Sequence, residues 1–235
     1  MTADLPAGRH SPGAPRAFDL LETLRWTPDE GFFLLERHLR RLERSARRFG
    51  YRCPLDRIRA ALEDAVDGTR SLRVRLLVGP DGRPRIETAP LDPPPPLVRV
   101  ALAARPIDPA NPLLFHKTTS RGHLEQARVP GVDDTILWNP RGEATESLIA
   151  NLVLVRGGTR VTPPASCGLL PGTFREELLA SGAIVEQPIS LAQLEQARRF
   201  WLINSVRGWY EAELIPRPAD RADSRGEASR QETGP

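Results

Sequence analysis

From Leu35 onward the apolar positions Leu35, Leu39, Leu42, Ala46 and Phe49 recur at spacings of four, three, four and three, which predicts a helix over Glu36–Phe49 with one face turned to a core. Leu55, Ile58, Leu62 and Val66 repeat the pattern and predict a second helix, Leu55–Val66. Around these helices the signal is that of short strands. Ala17–Trp26 precedes a turn at Pro28-Asp29-Glu30-Gly31 and a short return over Phe32–Leu35, and Leu72–Val78 and Arg85–Thr88 flank the hairpin signal Asp81-Gly82. The stretch Leu91-Asp92-Pro93-Pro94-Pro95-Pro96 is stiff and cannot join a sheet centrally, so a boundary is expected there, between a small lobe over 17–96 and a larger one over 97–215.

The larger lobe reads as a strand Leu97–Ala104, a loop carrying Lys117 and a helical segment near Arg121–Arg128. A hairpin pair follows, Thr135–Asn139 and Leu148–Arg156 about Arg141-Gly142, then a strand Arg160–Thr162 and a helix after Pro171-Gly172. A strand near Ile184–Pro188, a helix Leu191–Ala197 and a strand Arg199–Asn204 complete it. Strands joined by hairpins rather than in a βαβα rhythm imply an α+β chain. Residues 1–16 and 216–235 carry almost nothing apolar and read as disordered tails.

Composition narrows the function classes. No apolar run approaches the roughly 20 residues of a membrane helix, and the first residues lack the apolar stretch of a signal peptide, so a cytoplasmic protein without a membrane partner is expected. Cys53 and Cys167 are too few and too far apart for a disulfide framework or a zinc site. The net charge of +3 arises from 33 basic and 30 acidic residues spread among one another, which gives no domain-wide field for nucleic acid. Of those 33, Lys117 is the only lysine. Where arginine has replaced lysine at every other position, the surviving lysine marks a place that arginine cannot serve. A guanidinium stays protonated, whereas an amine can lose its proton and condense with an aldehyde. The bland alternative is a chance survivor on the surface.

On the first helix Arg37, Arg40, Arg44, Arg47 and Arg48 lie away from the apolar stripe, as a solvated face would. His38 and Arg41 differ: at about 100° per residue they fall roughly 60° apart on one flank of the stripe, where they could edge a cleft. GxSxG, GxxxxGK[ST], GxGxxG and HExxH are all absent, and His10, His38, His116 and His123 are scattered, so neither the corresponding hydrolases nor a metal site is expected.

What remains is an ordered set of short motifs: FDLLETLRW, ERHLRRLERSARRFG, FHKTTSR, GEATESLIANLVLV, TPPASCGLLPGTFR and INSVRGW. Over residues 17–215 their order and wording resemble the class IV aminotransferases, which include branched-chain and D-amino acid aminotransferases and 4-amino-4-deoxychorismate lyases. The resemblance implies a two-lobed fold-type IV enzyme, with a small α/β N-terminal lobe, a larger barrel-like lobe and pyridoxal 5'-phosphate between them. It implies that Lys117 holds the cofactor and moves the proton at the substrate's α-carbon. Glu146 would face the pyridine nitrogen and Asn151 would lie beside it, and Arg41 with the amides of Thr173 and Phe174 would hold the phosphate. Ser205 would add a hydroxyl, and Arg121 stands where a tyrosine often meets the cofactor's phenolic oxygen. Relatives commonly carry a further strand ahead of FETLR, so this fold is expected to begin late.

The wording of RAFDLLETLRW, FHKTTSR and INSVRGW is similar to lyase-like regions fused to aminodeoxychorismate synthase. This favours a lyase that forms 4-aminobenzoate and pyruvate for folate synthesis, with Thr23 as a candidate proton donor and Arg25 and Arg207 as candidate substrate carboxylate ligands. A small-molecule substrate, a homodimer and synthase components as partners follow from the same resemblance. An amino acid transaminase, of branched-chain or D-amino acid type, is the runner-up. A protein of another class, binding a partner through the five arginines of the first helix without catalysis, is the third reading.

Overall fold

A computed structural model of the chain describes residues 18–216; the expected tails, 1–16 and 216–235, lie outside this range except for Pro216. The first part is an antiparallel sheet in the order β2-β1-β3-β4, built from β1 (Leu20–Thr27), β2 (Gly31–Phe32), β3 (Leu72–Val78) and β4 (Pro84–Pro90). Helices α1 (Leu35–Phe49) and α2 (Leu55–Asp64) pack on it. Their stripes are those expected: Leu39, Leu42, Ala46, Ile58 and Leu62 are buried against Leu20, Leu24, Val74 and Leu76. A side chain such as Ile58 or Leu62, fully withdrawn from water, contributes about 1.5–3 kcal/mol. Gly50, at a φ of 71°, ends α1 in the left-handed conformation that glycine adopts at least cost. β4 is an edge strand, which is why proline is tolerated at both of its ends.

The alternation of β1 and β3 decides what the other face of this sheet carries. Leu20, Glu22, Leu24 and Trp26 point to the core, so Thr23 and Arg25 project the other way, opposite Arg75 and Arg73 in the register. No strand occupies 91–96.

The second part holds β5 (Leu97–Leu102), β6 (Asp134–Trp138), β7 (Glu143–Ser147), β8 (Asn151–Arg156), β12 (Arg199–Asn204) and β13 (Gly208–Leu214) as a six-strand barrel in the order β8-β12-β13-β5-β6-β7. It closes where β7 meets β8, through the single register pair Glu146↔Asn151. The short strands β9 (Thr159–Thr162), β10 (Val185–Glu186) and β11 (Ile189–Ser190) extend its edges, and α3 (Gly122–Glu125), α4 (Thr173–Ala180) and α5 (Leu191–Ala197) lie in its connections. The expected α+β architecture, with a small sheet-and-helix part and a barrel, is present.

Several elements differ from the sequence reading. The hairpin around Arg141-Gly142 pairs β6 with Glu143–Ser147, not with Leu148–Arg156. That segment is too polar to announce a buried strand, yet Ala144, Thr145, Glu146 and Ser147 are all buried. β13 was not expected as a strand, although Tyr210, Ala212 and Leu214 alternate with polar residues. It forms the hairpin partner of β12 and runs parallel to β5. The strand expected over Ile184–Pro188 breaks into β10 and β11, which pair with different neighbours on either side of Gln187-Pro188. The helix near Arg121–Arg128 shrinks to the single turn of α3.

Candidate active site

A cleft of about 260 Å³ lies between the small sheet and the barrel, and Lys117 is in its wall. The loop that carries Lys117 is stitched to the start of β1: Leu21 N–H donates to Lys117 O (2.9 Å) and Thr119 N–H to Asp19 O (2.9 Å). The lysine therefore sits on anchored backbone although it belongs to no strand or helix. Burial, helped by the nearby Arg41 charge and opposed by Glu22 and Glu146, lowers its amine to about 8, so it gives up its proton far closer to neutrality than an ordinary lysine does.

Glu146 and Asn151 face the cleft from the barrel's closing pair. Asn151 Nδ2 donates to Glu146 Oε2 (3.2 Å) and to Leu170 O (2.9 Å), and Leu170 N–H donates to Glu146 Oε1 (2.9 Å). All of these donors to the carboxylate are neutral, and among the described residues no cation lies within ion-pair distance of Glu146. Burial raises its carboxyl to about 8, against the opposing pull of the Leu170 amide and the Lys117, Arg121 and Arg175 charges. A glycine suits the position next to this pair, since a Cβ at position 172 would collide with Asn151 Oδ1.

Gly172 is also the N-cap of α4. The first bond of that helix runs from Glu176 N–H to Gly172 O (2.8 Å), so the amides of Thr173 and Phe174 precede the intrahelical ladder. Arg41 reaches the same end of α4 from α1, donating through Nη1 to Pro171 O (3.2 Å). Its Nε and Nη2 donate to Glu22 Oε1 and Oε2 (2.9 and 2.5 Å), and His38 Nδ1 meets Glu22 Oε2 at 2.6 Å. Burial alone would raise the Glu22 carboxyl, but Arg41 and His38 override it and hold the group at about 2. The expected flank of α1 is thus buried, with Arg41 in the cleft wall and His38 behind it.

The remaining candidates divide. Thr23, Ser205, Arg121 and Arg207 all line the cleft. Ser205 Oγ donates to Thr23 O (3.4 Å), joining the β12–β13 turn to the small sheet, and Arg121 Nη2 donates to Leu148 O (2.8 Å). Asn204 Oδ1 accepts from Val206 N–H (3.0 Å) and Arg207 N–H (2.8 Å), which fixes the turn that presents Arg207. Arg25 is not brought to the cleft wall: its guanidinium lies over the Phe33 ring at 4.2 Å and pairs loosely with Glu30 at 3.7 Å. Phe33 in turn contacts Phe174 edge-on.

Residues that the sequence reading missed are Glu22, Arg73 and Arg75. Glu22 could have been found as the one acid on the inward register of β1. Arg73 and Arg75 line the cleft from β3, opposite Arg25 and Thr23, a placement that depends on strand register. Arg75 pairs with Glu87, whereas among the described residues Arg73 and Arg207 have no carboxylate within ion-pair distance. Two of the five arginines on the basic face of α1 tie it to α4: Arg37 pairs with Glu176 and Glu177, and Arg44 with Glu176. Arg47 pairs with Glu43 within α1, and Arg40 and Arg48 are exposed.

Comparison with known proteins supplies an independent line. The sequence profile of the family described as amino-transferase class IV matches residues 19–215. A Schizosaccharomyces pombe protein with the provisional name aminodeoxychorismate lyase is 31% identical over 212 residues, covering 85% of this chain and 91% of the relative. A Mesorhizobium loti crystal structure, provisionally named as an amino-acid aminotransferase, is 37% identical with a TM-score of 0.78, covering 84% of this chain and all of that one. The 4-amino-4-deoxychorismate lyase of Pseudomonas aeruginosa superposes with a TM-score of 0.67 at 22% identity, over 97% of each chain.

Proposed function

The chain belongs to the class IV aminotransferase family of enzymes, and on that premise we propose that it is a pyridoxal-phosphate-dependent lyase that converts 4-amino-4-deoxychorismate to 4-aminobenzoate and pyruvate for folate synthesis. The cleft fits the cofactor by the chemistry of its donors. An amine of lowered proton affinity suits the aldehyde. The buried Glu146 carboxylate, without a cationic partner among the described residues, suits a protonated ring nitrogen, and Arg41 beside the first amides of α4 suits the phosphate. Lys117, Glu146, Asn151, Arg41, Thr173, Phe174, Ser205 and Arg121 would hold the group, which supplies an electron sink when bound.

The chain's own residues then act as follows. Glu146, buried and with no cation within ion-pair distance among the described residues, would hold a proton at the cofactor's ring nitrogen. Lys117 Nζ takes the proton from the carbon bearing the substrate amine, a role that needs an unprotonated amine near neutrality. The Thr23 hydroxyl is the candidate proton donor to the departing enolpyruvyl oxygen. Arg207 and Arg73, which have no acid partner among the described residues, attract the substrate's two carboxylates, with Arg75 beside them.

The observation that carries the lyase reading is this charge imbalance. Among the described residues Arg73 and Arg207 line the cleft with no acid within ion-pair distance, whereas Arg41, Arg75, Arg121 and Arg175 are paired with Glu22, Glu87, Glu125 and Glu186, and two uncompensated guanidinium groups suit a bulky dianion better than a single α-carboxylate. The name of the Schizosaccharomyces pombe relative supports the same reading. The transaminase reading is favoured by the name of the Mesorhizobium loti protein, at 37% identity. Purified enzyme supplied with aminodeoxychorismate and no keto acid separates the two. Many turnovers of 4-aminobenzoate support the lyase. Product that stops at one equivalent, while an amino acid and 2-oxoglutarate turn over steadily, establishes the transaminase.

A further inference from the structure

Behind the cleft, a single carboxylate organises both parts that the phosphate reading assigns to anion binding. Glu22 is 1% exposed and accepts from His38 Nδ1 (2.6 Å), Arg41 Nε (2.9 Å) and Arg41 Nη2 (2.5 Å). An ionised carboxylate only accepts, so His38 Nδ1 carries the proton, and burial keeps the ring neutral. His38 Nε2 is then an acceptor, and the Thr173 hydroxyl, 3.1 Å away, donates to it. The chain of bonds runs from β1 through α1 to the first residue of α4, crossing from the small sheet to the barrel side.

This arrangement accounts for the donors that stay available. Arg41 has five N–H groups; two go to Glu22 and one to Pro171 O, so two remain. Glu22 occupies one fork of the guanidinium and thereby sets the direction of the free N–H groups. The Thr173 hydroxyl proton is spent on His38, so what Thr173 can offer an anion is its backbone N–H. Neither Glu22 nor His38 lines the cleft itself, so any effect they have on a bound group acts through Arg41 and Thr173.

We propose that Glu22 and His38 are positioning residues for the anion held at Arg41 and the start of α4: the carboxylate orients the guanidinium, and the imidazole relays that constraint to Thr173. The inference rests on the placement of the cofactor phosphate at Arg41, Thr173 and Phe174, and not on which reaction the enzyme catalyses. Its signature is selective. Loss of either residue should weaken binding of a phosphorylated ligand while sparing the same ligand without its phosphate, whereas a general loosening of the fold would weaken both.

The test uses the full chain stripped of cofactor, as wild type, Glu22→Gln and His38→Gln, titrated calorimetrically with pyridoxal 5'-phosphate and with pyridoxal. The expected result is a wild-type preference for the phosphorylated ligand that falls about tenfold or more in each variant, with pyridoxal affinity held within about twofold. The His38→Gln variant exchanges one neutral side chain for another and carries the test if Glu22→Gln does not fold. Equal losses for both ligands, an unchanged preference, or tighter phosphate binding in Glu22→Gln would each overturn the positioning role. A wild-type protein with no preference for the phosphorylated ligand would instead remove the phosphate placement, and the inference with it.

Discussion

The molecule buries a glutamate in each of its two parts, and the two behave in opposite ways. Glu22, on the small sheet, is 1% exposed and is gripped by Arg41 and His38, which hold it ionised down to a pH of about 2. Glu146, on the barrel, is 7% exposed and receives only neutral donors, and burial lifts it to about 8. The cost of removing each carboxylate from water is of the same kind, and the difference lies in whether the protein itself provides the compensating cation. Where it does, the group is part of the scaffold. Where it does not, the site is left with an electrostatic demand that a ligand can meet. Lys117 belongs with Glu146 in this division, as an amine whose charge the surroundings also disfavour.

The sharpest way to break the comparison is at Lys117. Lys117→Arg keeps a cation and removes the nucleophile, so turnover should fall by on the order of 10²–10⁴ or more while thermal stability is retained. Borohydride reduction and peptide mapping of the wild type should find the cofactor on Lys117; a label on another residue would refute the assignment.

Next comes the stability contrast between the glutamates. Glu22 has a folded-state value of about 2 against 4.5 for an ordinary glutamate, so its contribution is fully present above about pH 4.5 and is lost as the pH falls through 2. The difference corresponds to about 3 kcal/mol. Glu22→Gln should therefore destabilise the protein by about that amount at neutral pH and blunt its acid sensitivity. Glu146 is raised, so its ionisation opposes folding increasingly from pH 4.5 up to about 8. Glu146→Gln in the cofactor-free protein should be neutral or stabilising at pH 8, yet should slow turnover of the loaded enzyme by about 10²-fold. Denaturant melts of both variants across pH test the signs, and parallel losses would erase the distinction between scaffold and site.

The smallest effects concern the two arginines that sequence alone ranked together. Arg207→Ala should raise KM about tenfold, as expected for a lost charge-assisted bond, whereas Arg25→Ala should leave it within about threefold because Arg25 lies on Phe33. A larger KM effect at Arg25 would show that the Phe33 contact gives way when substrate binds.

What was legible in the sequence follows from period. The flank of α1 that buries His38 and Arg41 could be read because 3.6-residue spacing fixes the direction of a side chain from its neighbours alone. Lys117 was legible from composition, and the motif order carried Glu146, Asn151 and the start of α4 into one cleft. The strand Glu143–Ser147 was not legible, because a buried strand whose polar side chains find partners lacks the apolar run that announces one. Arg73 and Arg75 became visible only once β1 and β3 were paired, since register decides which arginines share a face with Thr23. Glu22 gave a local signal, an acid flanked at two-residue spacing by Leu20 and Leu24, whose meaning depended on a partner 19 residues away.

The barrel's closure carries a dynamic consequence. Its β7–β8 junction has one register pair, against two to six at the other five junctions, so this seam is the junction with the least backbone pairing to lose when strands separate. Glu146 and Asn151 are that pair, and a ligand bridging them to the opposite wall of the cleft would act as a removable clasp on the barrel. Amide exchange along β7 and β8 should then slow on cofactor binding out of proportion to the rest of the sheet, so that the enzyme's loading state is readable as the opening free energy of one seam.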